Sequence, residues 1–275
     1  MTVIISIMGR KGGITKTTLA KNIAAGAALA GYSTVLIDAD SQGNATDGVR
    51  VAREDGFKSL ILDGAEWNDV LRPVPERFTG KPCDNFYVVP SFDGQLEVER
   101  SDDTPNAIYE RMEELRGSVD LVICDLPPGI TNTHIGLYYA SDWVILPTLC
   151  ELDSVLSLDS TINYLANAAR IGQEAGYNVA QILGIVPNRF NVVQKVHQKN
   201  IGFVTGRYYD KIHVYPAVRD LAVWGKATQL RMCIHAMADG DIYAERVEAR
   251  KAITEIGPVL QSVFNLIQGV GNAQE

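Results

Sequence analysis

Cysteine is sparse in this chain. Cys83, Cys124, Cys150 and Cys233 stand far apart and form no CxxC pair, which argues against a disulfide framework and against a zinc site built on paired thiolates. Histidine is as thin: His134, His197, His213 and His235 are scattered, so neither a metal centre nor a histidine-activated nucleophile is expected. Long apolar runs are missing too. No stretch approaches the roughly 20 residues that a membrane-spanning helix needs, and the chain begins with the strand-like "TVIISIM" without a basic region or a cleavage site. The expected location is cytoplasmic, with no membrane partner. Repeats, low-complexity tracts and convincing linkers are absent as well, so one domain over residues 1–275 is expected.

What is present is a recurring pattern. Apolar runs of five or six residues, bounded by turn residues, alternate with longer helical patterns, as in a buried parallel sheet covered by helices. The expected strands are Val3–Met8, Thr34–Asp38, Phe86–Pro90, Leu121–Asp125, Trp143–Pro147 and Gln181–Pro187, and the expected helices Lys16–Ala30, Pro105–Arg116, Asn132–Ala140, Ser154–Ala175 and Val192–Thr205. The fold class is α/β, a doubly wound and mostly parallel sheet flanked by helices, with ligands at the carboxyl ends of its strands. Residues 54–84, carrying Pro73, Pro75, Gly80 and Pro82, read as an irregular surface insertion with one or two short helices. A last helix over about 242–267 meets Gly257-Pro258, where proline should break or kink it.

The stretch "MGRKGGITKTTLA", Met8 to Ala20, follows the first strand and opens the first helix. Strand, glycine turn and helix N-terminus in that order make an anion site from backbone N–H groups and the positive end of the helix dipole. Lys16 is then positioned for the outer phosphates of a nucleotide and the Thr17 hydroxyl for Mg²⁺. Two further strands end in carboxylates. "TVLIDADSQGN" sets Asp38 and Asp40 two apart, facing the same way on an extended chain, and "DLVICDLPPG" sets Asp125 before a Pro-Pro-Gly turn. One strand-end aspartate is commonly a turn former; three beside a phosphate loop read as a Mg²⁺ and water site.

These motifs resemble those of the ParA/MinD family of deviant Walker A ATPases, P-loop proteins of the ParA partition branch above all. "KGGITKTT" is similar to the family's phosphate loop, with Lys11 at the place of its extra lysine; "DADSQGN", "DLPPG", "PTLCELDSVLSLDSTINYL" and "VYPAVRDL" resemble further family segments, and the likeness extends from Met1 to about Arg231. The resemblance implies ATP and Mg²⁺ as cofactors and a homodimer that sandwiches two ATP molecules, Lys11 reaching the nucleotide of the partner subunit. It implies Gly12 and Gly13 in the loop, Lys16 on the β- and γ-phosphates, Thr17 on Mg²⁺, Thr18 on the α-phosphate, Asp40 on the attacking water, Asp38 holding the geometry, and Asp125 contacting Mg²⁺ through water. Asn188 matches an adenine hydrogen-bonding position and Pro216 one that packs on the ring. Thr15 stands where the family has glycine and Ser41 where it has proline; if position 15 needs φ > 0, which threonine takes up reluctantly, the loop is strained or differently shaped.

Composition and family together sort the output. The tail after Lys251 carries no Lys or Arg, so a basic membrane-inserting helix is not expected; Val259, Leu260, Val263, Phe264 and Ile267 are expected to pack on the domain. The net charge is −8, yet between Arg189 and Arg231 eight basic residues face only Asp210 and Asp220, a local charge of +6. Lys195, Lys199, Arg207, Lys211, Arg219, Lys226 and Arg231 are therefore candidate contacts to DNA phosphates. The expected function is an ATP-dependent partition ATPase, weak until stimulated, that binds non-specific DNA over the nucleoid and works with a ParB-like or other adaptor protein. The alternative is a nucleotide-gated scaffold acting on a protein cargo without DNA.

Overall fold

The computed structural model describes residues 1–269; residues 270–275, the end of the expected domain, lie outside the described residues. Its centre is a seven-stranded sheet of β1 (Val3–Ile7), β2 (Thr34–Asp38), β3 (Arg72–Pro73), β4 (Phe86–Val89), β5 (Leu121–Asp125), β6 (Trp143–Leu149) and β7 (Gln181–Asn188), in the spatial order β3-β4-β2-β5-β1-β6-β7. Neighbours pair in parallel except β3 against β4. β1, β2 and β5 are buried at every position, which is why they read as unbroken apolar runs. Their side chains alternate between two cores. Ile5, Ile7, Leu36 and Ile123 pack with the helices Lys16–Leu29 and Tyr243–Ile267, while Ile4, Val35, Ile37 and Val122 pack with Met112, Leu137 and Leu158 of the helices Thr104–Glu114, Asn132–Ala140 and Leu152–Glu174. Among the described residues no helix is long and apolar enough to cross a membrane.

Two expectations are corrected. Residues 54–84 are not a surface insertion: they form the helices Gly56–Leu62, Trp67–Val70 and Glu76–Thr79 together with β3, and Phe57, Leu60 and Phe78 are fully buried. Their prolines fall where proline is tolerated, Pro73 in an edge strand and Pro75 just before a helix. Nor does Gly257-Pro258 break the last helix, which is continuous from Tyr243 to Ile267. Proline inside a helix costs about 3 kcal/mol, whereas each large apolar side chain buried returns about 1.5–3 kcal/mol. Ile256 before the proline and Val259, Leu260 and Val263 after it are all buried. Thr254 and Pro258 are exposed, so water can serve the carbonyl that loses its N–H partner. The expected helix over 192–205 begins three residues later, as Lys195–Tyr208.

The chain leaves central β1 for β2 on one side, and later crosses to β6 on the other. That reversal opens a crevice at the carboxyl ends of the central strands. Register sets both Ile7 of β1 and Asp38 of β2 opposite Asp125 of β5, so the phosphate loop and two carboxylates converge there. Two helices that the sequence pattern did not reveal, Asn44–Gly48 and Ala222–Leu230, complete its walls.

Candidate active site

The phosphate loop joins β1 to the helix Lys16–Leu29, with Gly13 at φ 74° and Thr15 at φ 70°. Position 15 is thus left-handed, as the substitution of threonine for glycine made a point of concern. Its hydroxyl donates to the Ile14 carbonyl. Lys16 is buried and its ammonium donates to the carbonyls of Gly9 (3.0 Å) and Lys11 (3.4 Å). Burial lowers its pKa from the usual lysine value, with Asp125 and Asp40 pulling the other way. Lys11 turns to the opposite side, where its Nζ donates to Ser154 Oγ (3.1 Å) and lies 3.5 Å from Glu151 at the start of helix Leu152–Glu174.

The three aspartates differ in setting. Asp38 is fully buried; its Oδ2 accepts from the Thr46 N–H and hydroxyl, both at 2.7 Å, and its Oδ1 from the Asp40 N–H at 3.3 Å. Asp40 lines a cavity of about 530 Å³ together with Gly12, Gly13, Lys16, Thr17 and Thr18. Asp125 is fully buried, and among the described residues neither carboxylate oxygen accepts a hydrogen bond of ordinary geometry, although the Thr17 hydroxyl lies near enough to favour its ionised form. Burial first, and then the charge of Asp38, push Asp125 up to about 8; burial pushes Asp38 up to about 6 against the pull of Thr46. Two orphaned hard oxygens beside a hydroxyl fit Mg²⁺, a cation that takes oxygen ligands and keeps several waters. The Pro-Pro-Gly turn after Asp125 is tied to the phosphate loop through the Gly129 N–H, which donates to the Arg10 carbonyl at 3.1 Å. His134 supports the same turn from behind, with its Nε2 3.1 Å from the Pro127 carbonyl.

A second cavity of about 320 Å³ adjoins the first, sharing Thr15, Thr18 and Thr228. Asn188 lines it, with its Nδ2 donating to the Val186 carbonyl at 2.9 Å, which leaves its side-chain oxygen and its second N–H to meet a ligand. Pro216 is exposed and does not line this cavity; Val218, Arg219 and Trp224 do.

The basic segment divides. Arg219 lines the second cavity and pairs with Glu255, and Arg231 lines the first. Lys226 lies 3.9 Å from Glu245, and Arg207 pairs with Asp159 at 2.9 Å. Lys195, Lys199 and Lys211 are exposed on or just after the helix Lys195–Tyr208 and make no ion pair within 4.0 Å among the described residues. Sequence reasoning missed Thr46, Trp224 and Lys21 as parts of the site. For Lys21 a signal existed, since it follows Thr17 by four residues and so shares its helix face.

A family model described as an AAA domain matches residues 2–174. The chromosome-partitioning ATPase Soj of Treponema pallidum is 30% identical over 210 residues, 74% of this chain and 78% of that protein. Among solved structures, a variant of McdA from Cyanothece in complex with ATP superimposes with a TM-score of 0.75 at 20% identity, covering 100% of this chain and 98% of that one. The septum site-determining protein MinD of Pyrococcus horikoshii, complexed with Mg-ADP, gives 0.66 at 18% identity, with 99% and 97% covered. At these identities the two structures show a shared fold.

Proposed function

Because this chain belongs to the ParA/MinD family of deviant Walker A ATPases, we propose that it is a weak, Mg²⁺-dependent partition ATPase whose ATP-bound homodimer holds DNA without regard to sequence. A ParB-like or other adaptor protein stimulates and releases it, and it works in the cytoplasm on the nucleoid. The observation that supports the reading is the pair of adjoining cavities, one lined by the phosphate loop and Asp40 and the other by Asn188, which in this reading take the phosphates and the base of a nucleoside triphosphate.

In this reading the loop N–H groups and Lys16 bind the β- and γ-phosphates, and Thr18 the α-phosphate. Thr17 and Asp125 hold Mg²⁺, which when bound neutralises charge on the phosphate oxygens. Asp40 orients the attacking water, and Asp38, fixed by Thr46, sets the backbone that carries Asp40. Asn188 meets the base. Lys11, now resting on Ser154 and Glu151, transfers to the partner subunit's nucleotide in the dimer, and the exposed lysines of the Lys195–Tyr208 segment meet DNA phosphates.

The test is anisotropy of a labelled random-sequence duplex titrated with protein under ATP, ADP and no nucleotide, at two salt concentrations. Binding that needs ATP and weakens steeply with salt supports the reading; Asp40→Ala should retain it while hydrolysing ATP more slowly. ATP hydrolysis without DNA binding in any state refutes the DNA arm. It favours the second reading, a positioning scaffold for a protein cargo, for which the exposed Val193, Val196 and Phe203 beside the same lysines speak.

A further inference from the structure

Lys21 is 7% exposed, on the second turn of the helix that opens with Lys16 and Thr17. Among the described residues its ammonium has no hydrogen bond and no carboxylate within 4.0 Å. Asp125, Asp38, Asp47 and the cationic Arg231 are the charged groups that face it, and burial outweighs the three carboxylates and lowers its pKa from the usual lysine value. Asp125 lies beyond 4.0 Å at the end of β5, and the other two carboxylates are engaged. Asp38 is taken by Thr46, and Asp47 accepts from Arg53 at 2.5 and 3.0 Å. A buried cation without a partner is costly, and sites keep one where an anion arrives to meet it.

The path of the side chain is built into the fold. A Cβ at Gly48 would lie 2.1 Å from Lys21 Nζ, 2.8 Å from its Cδ and 2.9 Å from its Cε. The absence of a side chain at position 48 therefore makes the groove along which the lysine runs, and both residues line the cavity of about 530 Å³ that holds the phosphate loop. Lys16 approaches that cavity from the end of the loop; Lys21, on the same face of the helix Lys16–Leu29 as Thr17, reaches it along the helix Asn44–Gly48.

We propose that Lys21 is a third lysine of the nucleotide site, supplied by the chain that binds the nucleotide, and that its ammonium contacts the polyphosphate. The proposal rests on the nucleotide reading above. It gives the single chain a cationic grip on ATP that does not wait for Lys11 of a partner, and Arg231, on the same cavity, adds to the positive field there.

The experiment is titration of the full chain with ATP and, separately, with inorganic pyrophosphate, in Mg²⁺, for the wild type, Lys21→Met and Gly48→Ala. Lys21→Met should weaken both ligands about tenfold and leave the ligand-free melting temperature equal or higher, because it removes an uncompensated buried charge. Gly48→Ala, whose methyl displaces the lysine, should weaken them about threefold alone and have no further effect on top of Lys21→Met. A wild type that binds ATP while Lys21→Met binds it equally well overturns the proposal, as does full additivity of the two substitutions. A wild type that binds no ATP overturns the nucleotide reading itself.

Discussion

Binding of Mg²⁺ and nucleotide beside Asp38 and Asp125 should expel about one proton at pH 7. The two carboxyls sit opposite each other in register at the ends of β2 and β5, both fully buried, so they titrate as a pair. With Asp125 pushed up to about 8 and Asp38 to about 6, the ligand-free pair carries about 0.9 proton on the first and about 0.1 on the second at pH 7. A divalent cation favours the charged form of both, so that proton must leave. Titration calorimetry with Mg-ADP in phosphate and in Tris reads the number directly, because the apparent heat changes by the protons released times the difference in buffer ionisation enthalpy. Release should fall to about 0.1 at pH 9, and Asp125→Asn should remove nearly all of it at pH 7. Equal heats in the two buffers, or a release that survives Asp125→Asn, refutes the protonated pair.

Other consequences follow from the same geometry. Since both carboxyls are raised above their unfolded value near 4, their protonated forms stabilise the folded chain fully below that value, and the contribution is lost as pH rises through about 6 and then about 8; the ligand-free melting temperature should therefore fall between pH 6 and pH 8.5, and Mg-nucleotide should flatten the slope. Thr15→Gly relieves about 1–2 kcal/mol of left-handed strain and adds about 0.4–1 kcal/mol of unfolded-chain freedom, so urea unfolding should show stability unchanged or higher by about 1 kcal/mol; a clear loss would mean that threonine is not strained there. Replacing Lys195, Lys199 and Lys211 together by alanine should reduce the slope of log DNA affinity against log salt by about 0.9 for each phosphate contact removed, and an unchanged slope would move the DNA face elsewhere on the molecule.

The site was legible where it is local. Strand, glycine loop and Lys-Thr-Thr are consecutive, and the strand-end aspartates announce themselves because an apolar run stops at each. The basic segment was legible only as charge. Nothing in its spacing shows that Arg219 turns to Glu255 and the second cavity while Lys199 faces solvent. Residues 54–84 misled because Pro73, Pro75 and Gly80 punctuate short elements as readily as loops, and the burial of Phe57, Leu60 and Phe78 is visible only once the sheet is assembled.

By itself the sequence determined the α/β class, the phosphate loop and the identity of its carboxylates, because each rests on periodicity or spacing within a few residues. The tertiary structure alone decided that Asp38 and Asp125 lie opposite each other fully buried, that Lys21 runs over Gly48 with no carboxylate within 4.0 Å among the described residues, and that the last helix continues through Pro258. Each of these depends on which distant segments pack together, and a buried charge or a proline in a helix is tolerated or costly according to those neighbours.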